Sequence, residues 1–218
     1  YAVEEAFAAG IEQIIFVTGR TKKALEDHFD RSYELETMLK AKGKTDLLRQ
    51  INELVPETGT IVYTRQHDPL GLGHAIWCAR DIVGDEPFAV LLADDMIQTP
   101  TKPALLEMVE KFERFRASIA AVMEVEKDQT DKYGILDASP LEEDMVKIND
   151  MVEKPKPEEA PSNLAIVGRY ILTPRIWEYL GKKKTGAGGE IQLTDVMKGR
   201  LTEQPIFGYK FKGTRFDC

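Results

Sequence analysis

The sequence has few residues of the types that build disulfide frameworks and metal clusters. It contains two cysteines and three histidines. Cys78 lies inside a predicted helix and Cys218 is the last residue, so the pair lacks metal-ligand spacing and favours a reduced, cytoplasmic protein. The histidines share no spacing either, and we assign none of them to a metal.

Long apolar runs and positive charge are also lacking. No apolar run approaches the roughly 20 residues that a membrane-spanning helix needs, and no charged-then-apolar leader opens the chain. The net charge of −8 disfavours nucleic acid as a partner, because phosphates repel an acidic surface. A small anionic substrate requires a metal or a local basic cluster to offset that field. The chain starts at Tyr1 within a helical pattern and stops at Asp217-Cys218 without a closing element, which we interpret as a fragment with both ends missing.

The composition that is present is that of a folded protein. Hydrophobic residues make up 43% and charged residues 30% of the chain. Strand patterns alternate with helical patterns up to residue 130, which predicts an α/β fold with a doubly wound, mostly parallel sheet and helices on both faces. Shorter strands and helices follow in 131–218, which we predict to be a smaller α+β part of the same domain as 1–130. The predicted strands lie at 11–17, 60–64, 88–92, 117–125, 133–137, 145–152, 164–172 and 206–211, and the predicted helices at 2–9, 72–83, 104–115, 174–180 and 190–201.

A glycine-containing loop, 65–75, follows one predicted strand and opens a helix. Gly71 lets the backbone approach a planar ligand closely, and Gln66 carries the donor and the acceptor needed to recognise a base edge. A tight strand-to-helix turn with a solvated glutamine explains the same pattern.

Two adjacent carboxylates, Asp94 and Asp95, end the buried strand 88–92. Because successive strand side chains point to opposite faces, at most one of them projects into a cleft beyond the strand. A carboxylate there suits Mg²⁺, which takes few protein ligands plus phosphate oxygens. A solvated strand end or a helix cap is the alternative.

Glu153 and Lys154 end another predicted strand, just before a proline. The carboxylate suits sugar hydroxyls and the ammonium suits a phosphate, although from these residues alone a surface ion pair before a proline-rich turn is the favoured explanation. Gly168 interrupts an apolar strand, which indicates either close approach by a ligand or a kink. Glu190 follows a glycine-rich stretch and is alternatively a helix cap.

Taken together these segments resemble bacterial UTP–glucose-1-phosphate uridylyltransferases. The resemblance covers essentially the whole chain and rests on the ordered motifs RQ followed by LGLGHA, LLADD, YGILD, VEKPKPEEAPSNLAIVGRYIL, GAGGEIQLTD and FDC. It implies a nucleotidyltransferase α/β fold, with a nucleotide-binding core in 1–130 and a sugar-binding part in 131–218. The family's opening glycine-rich loop, which wraps the triphosphate, is absent from this sequence, so we expect the 218 residues alone to be inactive.

The resemblance also assigns roles to individual residues. Gln66 and Gly71 would recognise uracil, and Lys154 would hold the phosphate of glucose-1-phosphate. The implied contacts to glucose are Gly134, Glu153, Val167, Gly168 and Glu190. Asp94 would bind Mg²⁺, with Asp217 as a second metal ligand. The implied partners are UTP and glucose-1-phosphate, in a cytoplasmic homodimer or homotetramer.

Two other functions fit parts of the pattern. A metal-dependent glycosyltransferase also holds a nucleotide-sugar at an acidic strand end, but it needs an Asp-x-Asp arrangement and an acceptor cleft. A non-catalytic regulatory domain that binds a sugar nucleotide does not explain the presence of both Asp94 and Lys154.

Overall fold

The computed structural model describes residues 1–20, 22–54, 59–182 and 184–217. These residues form two compact units, a smaller one of residues 12–67 and a larger one of residues 1–11 and 68–218. Cys218, one of the two cysteines considered above, lies outside the described ranges.

Helices and strands alternate along the described chain. The helices are α1 (Ala2–Ala8), α2 (Lys23–His28), α3 (Tyr33–Ala41), α4 (Thr45–Leu54), α5 (Leu72–Cys78), α6 (Arg80–Val83), α7 (Ala104–Phe115), α8 (Ile176–Leu180) and α9 (Leu193–Lys198). The strands are β1 (Ile14–Thr18), β2 (Ile61–Arg65), β3 (Phe88–Leu91), β4 (Asp95–Gln98), β5 (Ile119–Glu124), β6 (Gly134–Pro140), β7 (Met145–Glu153), β8 (Leu164–Leu172), β9 (Phe207–Lys210) and β10 (Thr214–Asp217).

The smaller unit is built on a parallel strand pair. β1 and β2 pair from Ile14 opposite Ile61 to Thr18 opposite Arg65, and helices α2 to α4 connect them. This connection is the strand–helix–strand arrangement that the sequence predicts, because parallel neighbours need a long crossover.

The larger unit contains a mixed sheet, which confirms the α/β class but corrects the prediction of a mostly parallel sheet. Within the described residues its strand order is β3-β8-β5-β9-β7-β6. Among the described strands of this sheet only the β5–β9 pair is parallel, whereas β8 runs antiparallel to β3 and β5, and β7 runs antiparallel to β6 and β9. The prediction failed because β8, from the later part of the chain, lies between two strands of the earlier part, and because a short turn joins β6 to β7 as a hairpin. Both predicted parts, 1–130 and 131–218, therefore contribute strands to one sheet, and their functional division stays a prediction.

Helices cover both faces of this sheet, as predicted. Ile166 and Tyr170 of β8 pack in a core with side chains of α5, α8 and α9. Arg169 points to the opposite face, where it is hydrogen-bonded to Glu5 of α1. Every residue of β8 is buried, which explains why its sequence is apolar without alternation.

Three local features differ from the sequence predictions. The helix predicted over 72–83 divides at Ala79, whose N–H bonds to the Ile76 carbonyl three residues back. Strands β4 and β10 were not predicted, because each is four residues long; they pair antiparallel with Asp217 opposite Asp95.

Among the described residues, no helix combines the length and the apolarity that crossing a membrane requires.

Candidate active site

The glycine loop of the larger unit packs against the segment that begins at Glu190. Gly71 has φ +90°, and a Cβ atom there would lie 2.8 Å from the Cβ of Glu190 and 3.2 Å from its Oε2. Backbone hydrogen bonds join the two segments, from Ile191 N to Leu70 O and from Gly73 N to Ile191 O, both 2.8 Å long. The glycine at position 71 is thus required by backbone conformation and by the nearness of Glu190.

Gln66 belongs to the smaller unit, because the boundary between the units falls between His67 and Asp68. Its N–H donates to the Thr18 carbonyl at 3.0 Å, which extends the β1–β2 ladder by one bond. Its side chain is half-buried at the carboxyl end of β2, the edge where α/β sheets bind ligands.

Glu153 is held in place by the first turn of α9. The Thr194 hydroxyl donates to Glu153 Oε2 at 2.6 Å, and Gln192, which precedes α9, donates to Glu190 Oε2 at 3.0 Å. Gly134 lies opposite Glu153 in the β6–β7 hairpin. A Cβ atom at Gly134 would approach Thr194 Oγ1 to 2.9 Å, so the absence of a side chain there leaves room for the Glu153–Thr194 contact.

Lys154 has a backbone conformation that is unusual for a residue with a side chain. Its φ is +47°, it precedes Pro155, and its N–H donates to the Tyr133 carbonyl at 2.9 Å. Such left-handed residues are strained and concentrate at functional sites. The ammonium lies 4.0 Å from Glu153 Oε1 and the side chain is 55% exposed, so the charge remains available to a ligand.

Asp94 and Asp95 take different environments at the end of β3. Asp94 is exposed in the turn between β3 and β4, whereas Asp95 is 5% exposed. Asp95 Oδ2 accepts the Gly168 N–H at 2.7 Å, and its Oδ1 accepts a hydrogen bond from Arg215 Nε. The buried carboxylate is therefore Asp95, which the sequence interpretation left out of the site.

Arg215 connects β10 to Tyr133, the residue that precedes the β6–β7 hairpin. Besides Asp95 it donates to the Tyr133 hydroxyl at 2.9 Å, and its Nη2 lies 3.4 Å from Asp217 Oδ2. Burial opposes the charge of Arg215, but Asp95 beside it raises the pKa of the guanidinium above its usual value. Arg215 stays protonated and offsets part of the negative charge of the two aspartates.

Two neighbours of Gly168 on β8 contribute differently. Val167 is 2% exposed, so its side chain is not available to a ligand. Burial raises the pKa of the Tyr170 phenol, and the charges of Glu153 and Asp95 raise it further. The phenol is neutral at physiological pH.

The described carboxylates fit a magnesium ion that is bound partly by substrate. Among the residues that the structure describes, no group of three or more His, Cys, Asp or Glu side chains is arranged to hold a metal by itself. Mg²⁺ needs no such cage, since one or two carboxylates with phosphate oxygens and water suffice. The exposed Asp94 meets this requirement, whereas Asp217 faces Arg215.

Contacts thus join most of the sequence-predicted residues of the larger unit. Gly71 lies against Glu190, which accepts a hydrogen bond from Gln192. Thr194, two residues further on, donates to Glu153, and Glu153 lies opposite Gly134. Arg215 bonds both to Tyr133, the residue before Gly134, and to Asp95, which in turn accepts the Gly168 N–H.

Three residues in or beside this set were missed from the sequence: Asp95, Thr194 and Arg215. Thr194 lies in the GEIQLTD motif and could have been identified from it. Arg215 has no local signal, because its partner Asp95 is 120 positions away in the chain.

Comparison with known proteins gives consistent matches. The nucleotidyl transferase family model matches residues 1–214. The chain is 50% identical over 219 residues to a UTP–glucose-1-phosphate uridylyltransferase of Pseudomonas aeruginosa, covering all of this chain and 78% of that protein. It is 49% identical over 217 residues to the enzyme of the same name from Bacillus subtilis, of which it covers 74%.

Solved structures show the same similarity. An apo UDP-glucose pyrophosphorylase superposes with a TM-score of 0.92 at 45% identity, with all of this chain and 80% of that one covered. A UDP-glucose pyrophosphorylase complexed with UDP-glucose gives 0.90 at 44% identity, with the same coverage. A UTP-bound protein of this type from Acinetobacter baumannii gives 0.91 at 41% identity and is covered over 76% of its length.

Proposed function

The chain belongs to the nucleotidyl transferase family and within it to the UTP–glucose-1-phosphate uridylyltransferases, and we propose that it forms UDP-glucose and pyrophosphate from UTP and glucose-1-phosphate. The observation that carries the proposal is the continuous set of contacts that gathers Glu190, Glu153, Lys154 and Asp95. Sugar-binding carboxylates, a phosphate-binding ammonium and a metal-binding turn are the groups that this reaction requires.

The sugar would bind beside the two glutamates. Glu153 and Glu190 are acceptors for sugar hydroxyls, and each is oriented by one side-chain donor, Thr194 and Gln192 respectively. Gly134 and Gly168 would let the glucose approach the backbone, and Val167 would contribute main-chain contacts only. A fixed carboxylate loses little freedom when it binds a hydroxyl, so this arrangement favours a defined sugar orientation.

Lys154 would hold the phosphate of glucose-1-phosphate. Its backbone is fixed by the bond to Tyr133 and by Pro155, while its ammonium is exposed. The partner Glu153 is 4.0 Å away, a weak surface contact that a dianionic phosphate can replace.

A contact to uracil is proposed separately for Gln66 in the smaller unit and for the backbone at Gly71 in the larger unit. The amide of Gln66 supplies the donor and acceptor that a base edge needs. Gly71 brings its main chain close to a planar ring, since it has no Cβ.

A divalent metal ion is generally used by members of this family, and we propose Mg²⁺ at Asp94, with Asp217 as the second carboxylate. When bound, it would neutralise part of the charge of the UTP phosphates. The exposure of Asp94 supports the proposal, because phosphate oxygens and water must complete the coordination.

The reaction needs no general base. A phosphate oxygen of glucose-1-phosphate, already anionic, bonds to the α-phosphorus of UTP while the bond to the bridging oxygen breaks and pyrophosphate leaves. The protein's part is to align the two anions and to reduce their repulsion, as in other phosphoryl transfers. Lys154 supplies the positive charge on the sugar-phosphate side. The need for UTP supports a cytoplasmic location, and a homodimer or homotetramer stays a prediction.

The proposal is tested with the full-length protein that carries this chain. Pyrophosphate release is measured by a coupled assay with UTP and glucose-1-phosphate, each alone, and both together with Mg²⁺. We expect release only when all three are present, with UDP-glucose as the product. Release of UDP from UDP-glucose that depends on a sugar acceptor would identify a glycosyltransferase instead. Calorimetric binding of UDP-glucose without turnover would identify a regulatory domain.

A further inference from the structure

Arg169 is a buried cation in a strand that is otherwise apolar. The side chain of Arg169 is 0% exposed and that of its partner Glu5 is 4% exposed. An unpaired buried charge costs several kcal/mol, roughly, so the strand tolerates arginine only where its donors are used. The Arg169 guanidinium makes five hydrogen bonds, which equals the number of N–H donors that the group has.

Two of these five bonds go to the two ends of the turn that carries Asp94. Nη1 donates to the Leu92 carbonyl at 3.1 Å and Nη2 to the Asp95 carbonyl at 2.7 Å. The turn is closed by a weaker bond from Asp95 N to Leu92 O at 3.3 Å. Since both carbonyls point at one rigid planar group, the guanidinium fixes the span and the direction of the segment between them.

Glu5 in turn fixes the guanidinium. Its Oε2 accepts from Nε at 3.1 Å and from Nη2 at 2.9 Å, and its Oε1 accepts the Leu105 N–H at 3.3 Å in the first turn of α7. A carboxylate at a helix N-terminus is stabilised by the free N–H groups there. Glu5 therefore anchors Arg169 to two helices, α1 and α7.

We propose that Arg169, anchored by Glu5, is a positioning residue that sets the conformation of the Leu92–Asp95 turn and thereby the metal affinity of Asp94. The inference rests on the proposed function for its choice of metal, but the contacts themselves are independent of it. A purely stabilising role does not account for the arrangement, because a buried ion pair is often no more stabilising than apolar side chains of the same volume. Lysine cannot replace the arginine here, since an ammonium has three donors and no planar fork.

The test compares Arg169→Lys with Arg200→Lys in the full-length protein. Arg200 is an equally suitable buried arginine, 2% exposed and hydrogen-bonded to Gln204 and Thr173, with no bond to the turn. Metal affinity is measured without turnover, by an electron paramagnetic resonance titration of Mn²⁺ in the presence of UDP-glucose. Activity is measured as a function of Mg²⁺ and of glucose-1-phosphate, and stability by denaturant unfolding.

We expect Arg169→Lys to weaken Mn²⁺ binding and to raise the half-saturating Mg²⁺ concentration by about tenfold, with a matching loss in kcat. The KM for glucose-1-phosphate should change by less than about threefold, since Arg169 bonds to the Gly168 carbonyl but makes no contact with Glu153 or Lys154. Arg200→Lys should keep its metal affinity, whatever stability it loses. If Arg169→Lys loses stability but binds Mn²⁺ normally, the positioning role is refuted.

A second variant covers the case in which Arg169→Lys does not fold. Glu5→Gln keeps the volume and removes the charge that anchors the guanidinium, so a weaker form of the same metal defect is expected, and normal metal affinity refutes the proposal. The outcome stays separate from the proposed function, because Mn²⁺ binding is read without catalysis. A wild-type protein that binds Mn²⁺ but makes no UDP-glucose would refute the proposed function. The Mn²⁺ titration of Arg169→Lys would then still test the role of Arg169.

Discussion

Asp95 Oδ2 accepts the Gly168 N–H at 2.7 Å and occupies the space that a side chain at position 168 would need. A Cβ atom there would lie 2.5 Å from that oxygen and 2.7 Å from the Leu92 Cβ. The glycine in this apolar strand is thus explained by a carboxylate of the same chain. Because Asp94 lies in the short turn between Leu92 and Asp95, the fit at Gly168 also locates the predicted metal-binding turn against β8.

Gly168→Ala should therefore be destabilising and should impair catalysis. The added methyl group has to displace Asp95, since backbone on both sides is fixed in the sheet, and overpacking of this kind costs about 1–3 kcal/mol in free energy of unfolding. Denaturant unfolding and the pyrophosphate-release assay measure the two effects. Gly19→Ala is the matched control, because nothing lies within 4 Å of a Cβ atom there. If the two variants are equally stable, Asp95 moves aside without a loss in free energy of unfolding, which contradicts the prediction.

The hydrogen bond between Thr194 and Glu153 allows a prediction about the sugar. Thr194→Val removes the 2.6 Å donor to Glu153 Oε2 with little change in shape, and the carboxylate becomes free to rotate. We expect the KM for glucose-1-phosphate to rise about tenfold, which corresponds to about 1.4 kcal/mol, while the KM for UTP stays near the wild-type value.

Thr194→Ser serves as the rescue variant for that experiment, because it restores the hydroxyl without the methyl group. Recovery of the KM in the serine variant would assign the effect to the hydrogen bond. Equal defects in both variants would assign it to packing of α9 against the hairpin and would contradict the prediction.

Element positions were largely predictable from the sequence where hydrophobic patterning is strong. α7 and β8 have the predicted limits, 104–115 and 164–172, because a clear apolar stripe defines the helix and a largely apolar run defines the strand. The direction and order of the strands could not be predicted, because nothing local in β8 indicates that it lies between β3 and β5. β4 and β10 were missed because each is stabilised by a partner more than a hundred residues away rather than by its own pattern.

The candidate site shows the same division between local and long-range information. The sequence motifs indicated Glu153, Lys154 and Gly134, which are neighbours in one hairpin. The sequence placed Asp94 in the site and gave no sign of the buried position of Asp95, which depends on Gly168 and Arg215 from distant segments. Arg169 carried an available signal, because a charged residue within an apolar strand must find partners.

Lys154→Met should separate the charge of this residue from its backbone conformation. Methionine keeps a Cβ atom, so the strain at φ +47° remains while the ammonium is removed. If Lys154 holds the sugar phosphate, kcat/KM for glucose-1-phosphate should fall by about 100-fold or more, equivalent to about 2.7 kcal/mol. The free energy of unfolding should be nearly unchanged, since the side chain is 55% exposed.

Lys156→Met is the control for the Lys154 experiment. Lys156 is exposed and lies two residues further along the same turn, so it reports the effect of removing a nearby charge. A similar loss in both variants would reduce Lys154 to a contributor to the general field of the site, and the proposed phosphate contact would have to be abandoned.

The two candidate metal ligands differ in their neighbours, and this difference leads to a final prediction. Asp94 is exposed in its turn, while the Asp217 carboxylate lies 3.4 Å from Arg215 Nη2. A metal cation at Asp217 would either displace the Arg215 guanidinium or lie next to it. The repulsion between the two positive charges lowers the affinity of Asp217 for the metal. Asp94→Asn should therefore reduce kcat by about a thousandfold or more at saturating Mg²⁺ with the fold intact, whereas Asp217→Asn should cost about tenfold and be partly recovered at high Mg²⁺. Asp85→Asn, an exposed carboxylate before the start of β3, is the control for loss of charge. Equal defects at positions 94 and 217 would indicate that both carboxylates coordinate the ion and that Arg215 moves away when it binds; a near-normal rate in Asp94→Asn would remove Asp94 from the mechanism.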